Sequence, residues 1–220
     1  MKKRRAISVL LLLTIIITGV CGCGMKSMKN EKSNVIPYLE EKYGEAFTLD
    51  SYIMRSIDIP YDEAICVNAR GQKLKVYVDY EDESVVMTDN YYGTLKMPQY
   101  RETLQELLQV FSCDYKVCTN FTASFFEPEF NKDTPILEAM AQKKMQFYSN
   151  TVMFVPEDAV IEEAMVTQLQ DACKEKNMAM NFRVYKMDAQ TYATIDETQM
   201  GSDYIRFEDG VKPLYDVIIK

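Results

Sequence analysis

The chain contains no histidine and no tryptophan. The missing histidine excludes Ser-His-Asp and Cys-His catalysis, imidazole metal ligands and imidazole pH sensing together. The missing tryptophan removes the best side chain for stacking on cations. Glycine is sparse, eight in 220 residues, and none forms a phosphate-cradling loop. Basic charge is also short, with 25 Lys and Arg against 33 Asp and Glu. That balance argues against nucleic acid, whose binders carry basic patches. No repeat and no low-complexity segment is present, and 47% hydrophobic content is ordinary for a globular chain.

What is present begins at the N-terminus. Lys2, Lys3, Arg4 and Arg5 precede the uncharged run Ala6 to Val20. That run is too short to span a bilayer, which takes about 20 apolar residues. It has the length of an export signal's apolar region, about 7–15 residues. Val20-Cys21-Gly22-Cys23 follows: an aliphatic residue, two small ones and a cysteine. These residues resemble the bacterial prolipoprotein signal. The resemblance implies acylation of Cys23, cleavage after Gly22, and loss of Cys21 with the signal peptide of residues 1–22. The protein would then sit on the extracytoplasmic face of the cell membrane, held by lipid. Two acyl chains make a stable anchor at about 0.8 kcal/mol per buried CH₂. The chain from Cys23 on carries 21 basic and 33 acidic residues, a net of −12. This disfavours broad contact with anionic lipid heads.

Residues 23–34 read as the lipidated cysteine and a polar, flexible tether. The rest divides near Asp114. Residues 35–113 read as a helix at Val35 to Tyr43, stopped by Gly44, then strands over Phe47 to Met54, Ile65 to Ala69, Leu74 to Tyr80 and Val85 to Thr88. A helix over Met97 to Ser112 carries Leu104, Leu107, Leu108 and Phe111 at helical spacing. Residues 114–220 read as a strand from Lys116 to Phe126, a helix from Asp133 to about Met145, a strand at Asn150 to Val155, and a helix from Glu157 to Lys176. A strand at Met180 to Met187 follows, and Tyr204 to Phe207 pairs with Tyr215 to Ile219 across Asp209-Gly210. The expected class is α+β: a strand meander flanked by helices, then a β-α-β-α-β unit with a closing hairpin. The two halves are small domains, or one domain with a continuous sheet. Tyr38-Leu39-Glu40-Glu41-Lys42-Tyr43-Gly44 and Asp89-Asn90-Tyr91-Tyr92-Gly93 resemble uncharacterised lipoproteins of anaerobic Gram-positive bacteria. That resemblance implies no activity.

The candidate sites are few. Many of the fifteen tyrosines fall in or beside predicted strands, where tyrosine suits a half-buried position. Tyr91 and Tyr92 are the candidate binding surface, because two adjacent aromatics cannot both face the core from a strand. Cys113 and Cys118 are close enough to close a small loop and are the candidate disulfide. Cys66 and Cys173 sit in apolar-periodic segments and read as buried thiols. The acids Asp79, Glu81, Asp82 and Glu83 lack EF-hand spacing and read as a solvated turn. Glu127-Pro128-Glu129 offers two carboxylates, the raw material of glycosidic chemistry, but marks a turn. The methionines fall at helix and strand spacing and read as core filler. No metal or cofactor is expected. The sequence favours a non-enzymatic module binding an envelope protein or cell-wall partner. The alternative is a carboxylate-dependent envelope enzyme acting on cell-wall glycan or peptide.

Overall fold

The computed structural model describes residues 31–81, 84–122, 125–143, 146–197 and 212–219. Residues 1–30, with Cys21 and Cys23, and the expected strand Tyr204 to Phe207 with its Asp209-Gly210 turn, lie outside them. Asn34–Lys220 forms one compact unit.

Helix α1 (Val35–Tyr43) buries Val35, Leu39, Lys42 and Tyr43, one stripe at helical spacing. It stops at Gly44, whose φ of +67° suits glycine and whose N–H returns to Glu40 O at 2.8 Å. Strands β1 (Phe47–Ile53), β2 (Asp62–Asn68), β3 (Lys73–Glu81) and β4 (Ser84–Asp89) form the antiparallel meander in chain order. β2 alternates strictly, with Asp62, Ala64, Cys66 and Asn68 inward. Gly71, at φ +77°, turns the chain between β2 and β3.

Helix α2 (Tyr91–Leu108) begins six residues before the expected Met97. Asp89 supplies the reason: its Oδ1 accepts the Tyr91 N–H at 2.8 Å and satisfies a first-turn donor that otherwise lacks a partner. The helix continues through Pro98, a residue that costs an interior hydrogen bond.

The second sheet is ordered β5 (Lys116–Phe121), β6 (Ser149–Pro156), β7 (Met180–Met187), β8 (Tyr215–Ile219). Helix α3 (Ile136–Lys143) lies between β5 and β6, which pair antiparallel. Helix α4 (Glu163–Glu175) crosses over between β6 and β7, which pair in parallel. β8 closes the sheet antiparallel to β7. α4 is shorter than expected, because Glu157 and Asp158 sit in a turn closed by the Ala159 N–H on Pro156 O. Its buried stripe is Val166, Leu169 and Cys173. A short helix α5 (Ala189–Thr194) was not expected. Asp188 caps it by accepting the N–H groups of Gln190 and Thr191, each at 3.0 Å.

The expected strand Lys116 to Phe126 is two pieces. β5 ends at Phe121, and Phe126 bridges to Asp89 of the first sheet, through Phe126 N–H to Asp89 O at 2.7 Å and Asp89 N–H to Phe126 O at 3.2 Å. Residues after Asp114 therefore return to the first sheet. One hydrophobic cluster runs from Val35 to Ile219 and includes side chains of both sheets.

Candidate interaction surfaces

The most unusual chemistry in the molecule is internal. Lys42 lies in the buried stripe of α1, and its ammonium and the Asp89 carboxylate are both almost fully buried, 2.6 Å apart. Lys42 Nζ also reaches Tyr38 Oη, Phe126 O and Glu127 O, each at 2.9 Å. Asp89 accepts from Tyr38 Oη at 2.8 Å, from Tyr43 Oη at 2.6 Å and from the Tyr91 N–H. Burial pushes the Lys42 ammonium below its ordinary pKa, against the opposing pull of Asp89. Burial and the Asp89 charge raise both tyrosine hydroxyls well above theirs. Buried ions of this kind are tolerated only when every donor and acceptor is matched. Here they are, so the cluster ties α1, β4, α2 and the Phe126 segment together and has no group left for a ligand.

Tyr91 and Tyr92 do not form a surface: they are 1% and 0% exposed. The expectation assumed a strand, where neighbours point to opposite faces. They occupy the first turn of α2, where both directions meet protein. Tyr91 packs edge-on against Tyr43 and Phe47, with centroids 4.9 and 5.5 Å away. Its hydroxyl binds Glu45, Asn68 and Arg70. Tyr92 packs on Phe126 at 4.7 Å and donates to Thr134 O.

Cys66, Cys113, Cys118 and Cys173 are all free thiols. Cys113 packs toward the main core, whereas Cys118 belongs to a smaller cluster with Val152, Phe154, Tyr185 and Met187 on the opposite face of the second sheet. Proximity in sequence therefore does not bring the two together. Burial pushes the thiols of Cys66 and Cys118 up to about 11 and that of Cys173 up to about 12. Thiolate is the reactive form. Iodoacetamide on the native protein, followed by peptide mass analysis, should label Cys113 first and the other three only after unfolding. Protection of Cys113 and Cys118 together until a reductant is added would instead reveal a bridge.

Glu127 is held by Lys143, with Nζ 2.6 and 2.7 Å from its two oxygens, and Glu129 is exposed. Of the acidic run expected to form a turn, Asp79 and Glu81 are strand residues of β3, paired with Val86 and Ser84 of β4, and Asp82 and Glu83 lie outside the described residues. Among the described residues no group of three or more Asp, Glu, Cys or His is placed to hold a metal, and no helix is long and apolar enough to cross a membrane.

Among the described residues, a run of exposed apolar side chains occupies the connection between β1 and β2. Ile53, Met54 and Ile59 are each about half exposed, and Ile57 is fully exposed. Exposing an isoleucine instead of burying it forgoes about 1.5–3 kcal/mol. The loop is nonetheless built. Ser56 N–H donates to Ile59 O at 2.8 Å, and Ile59 N–H donates to Ser56 Oγ at 3.3 Å. The Arg55 guanidinium stacks 3.5 Å from the Tyr80 ring centre, and its backbone N–H donates to Asp62 at 2.7 Å. Asp62, itself buried, also accepts from Tyr52 and Tyr80 at 2.5 and 2.6 Å. Burial opposes its ionisation, but these hydrogen bonds prevail and hold its carboxyl below the usual range. Directly after the tip, Tyr61 packs on Tyr77 at 4.4 Å, and Tyr77 stacks on Phe125 at 3.9 Å and 19°. All three rings are half-buried. The strip begins at Tyr61, two residues after Ile59 in the chain. No periodic pattern announces the tip residues, since isoleucines in a loop have no period to read.

Comparison with protein-family models, with curated proteins and with solved structures finds no match to this chain.

Proposed function

We propose that this chain is an extracytoplasmic lipoprotein, anchored through acyl chains on Cys23, whose folded part is a non-enzymatic module that binds an envelope protein. The observation that carries the binding reading is the tip: Ile53, Met54, Ile57 and Ile59 held outward on a hydrogen-bonded turn, with the strip of Tyr61, Tyr77 and Phe125 beginning two residues on in the chain. A rigid apolar patch with tyrosines is the composition of interface hot regions. The anchor rests on Val20-Cys21-Gly22-Cys23. A non-catalytic role is supported by the missing histidine and by the use of Lys42, Asp89 and Glu127 in internal pairs.

A photo-crosslinking residue at Ile59 tests this in intact cells. It should capture one stoichiometric protein, and Ile57→Asp should abolish the adduct. An adduct with lipid alone, or one indifferent to Ile57→Asp, overturns the binding reading. Separately, Cys23→Ala should end incorporation of labelled fatty acid; continued labelling overturns the anchor.

A further inference from the structure

The apolar tip between β1 and β2 carries one oxidisable side chain. Ile53, Ile57 and Ile59 are inert to mild oxidants, and the fourth outward residue is Met54, 47% exposed. Met87, Met140, Met153, Met178, Met180 and Met187 are each at most 9% exposed. Met97 and Met165 are half-buried. Among the described residues Met54 is therefore the methionine most open to solvent.

The competing sulfurs are withdrawn. Cys66, Cys118 and Cys173 are buried and Cys113 is half-buried. Burial pushes all four thiols up, away from the reactive thiolate. A thioether has no such proton to lose, so its sulfur lone pair is available at neutral pH. With hydrogen peroxide, that lone pair attacks one peroxide oxygen, an S–O bond forms and the O–O bond breaks. The proton left on the new S–OH group passes to the departing hydroxide, and the products are methionine sulfoxide and water. The thioether is oxidised by two electrons and the peroxide is reduced by two.

Position decides what the oxygen does. The backbone around Met54 is held by groups that do not involve its sulfur: Ser56 with Ile59, the Arg55 N–H on Asp62, and the Arg55 guanidinium on Tyr80. A sulfoxide at this place faces water in the free protein, so the fold loses nothing. In a complex that covers the tip, the same group is a strong acceptor taken out of water, which costs affinity unless the partner donates to it. We infer that Met54 is an oxidation-responsive modification site, where an oxidant of the peroxide class converts the thioether to its sulfoxide and so weakens the hold of the tip on its protein partner. The effect on binding rests on the tip being the interface proposed above; the selective oxidation of Met54 does not.

The test uses the purified full chain with a photo-crosslinking residue at Ile59, treated with dilute hydrogen peroxide and then with catalase. Peptide mass analysis should show Met54 gaining one oxygen before Met97 or Met165, the next most exposed. The urea midpoint should stay where it was. On irradiation with isolated cell-envelope membranes, the amount of membrane needed for half-maximal adduct should rise about tenfold, the size of one polar group buried without a partner. Methionine sulfoxide reductases should reverse the rise. Met54→Leu conserves volume and keeps every other oxidisable side chain, so it should form the adduct like the untreated chain before and after peroxide. Oxidation of Met97 or Met165 ahead of Met54 overturns the modification site. An unchanged adduct after Met54 is oxidised, or an equal loss in Met54→Leu, overturns the effect on binding. No adduct from the untreated chain overturns the binding reading itself and the effect on binding with it, while the mass analysis still decides the modification site.

Discussion

Lys42→Met should destabilise the protein by about 3–5 kcal/mol, a large part of the 5–15 kcal/mol that holds a typical domain folded. The ammonium is buried beside Asp89 and has four oxygen partners. Methionine fills similar space but leaves the Asp89 carboxylate without its cation and strips the donor from Phe126 O and Glu127 O. Those carbonyls belong to the segment that crosses from the second sheet to the first, so the loss falls where the two halves join. Lys73→Met is the matched control. Its ammonium, 68% exposed, pairs with Asp50 at 2.9 Å, and a surface pair of that kind is worth less than about 1 kcal/mol. Urea unfolding of both variants measures the contrast. Equal midpoints would mean that the buried cluster contributes no more than a surface ion pair.

Asp62→Asn should cost about 2–3 kcal/mol at neutral pH, on the scale of hydrogen bonds to a charged group, and should loosen the β1–β2 tip before the rest of the fold. Asp62 receives three hydrogen bonds, and the amide cannot accept them as well as the carboxylate. The sign of the pH dependence follows. The folded carboxyl titrates below its unfolded value, so the unfolded chain binds the proton more readily. The stabilisation is complete above the unfolded value of about 4 and disappears as pH falls through the lower folded value. The gap in urea midpoint between wild type and Asp62→Asn should therefore be constant from pH 7 to about 5 and shrink below about 4. A gap that widens on acidification would show that another group pins the tip. At neutral pH, hydrogen exchange at Ser56 and Ile59 should accelerate in the variant by more than the global loss of stability accounts for.

Where one period governs a segment, the chain is readable. α1 over Val35–Tyr43, β7 over Met180–Met187 and β8 over Tyr215–Ile219 have the bounds their patterns announce. Reading fails where a distant group intervenes. Tyr91 and Tyr92 resemble strand residues until Asp89 caps the helix that contains them. The apolar alternation from Lys116 to Phe126 continues past the point where the backbone leaves one sheet for another, because side-chain pattern carries no information on which edge a strand meets. The Lys42 position, polar in an apolar stripe, was visible as a helix residue but not as a buried ion, since its partner lies 47 positions away.

Sequence alone determined the type of the strongly periodic elements, the α+β class, the absence of imidazole chemistry and the acidic charge, since each depends on composition or on local period. Only the tertiary structure decided that Lys42 and Asp89 are buried together and that four isoleucine and methionine side chains stand outward on a pinned turn. The physical reason is register. Which residues become neighbours across strands and layers is set by how whole elements pair and pack, and no window of adjacent residues contains that choice.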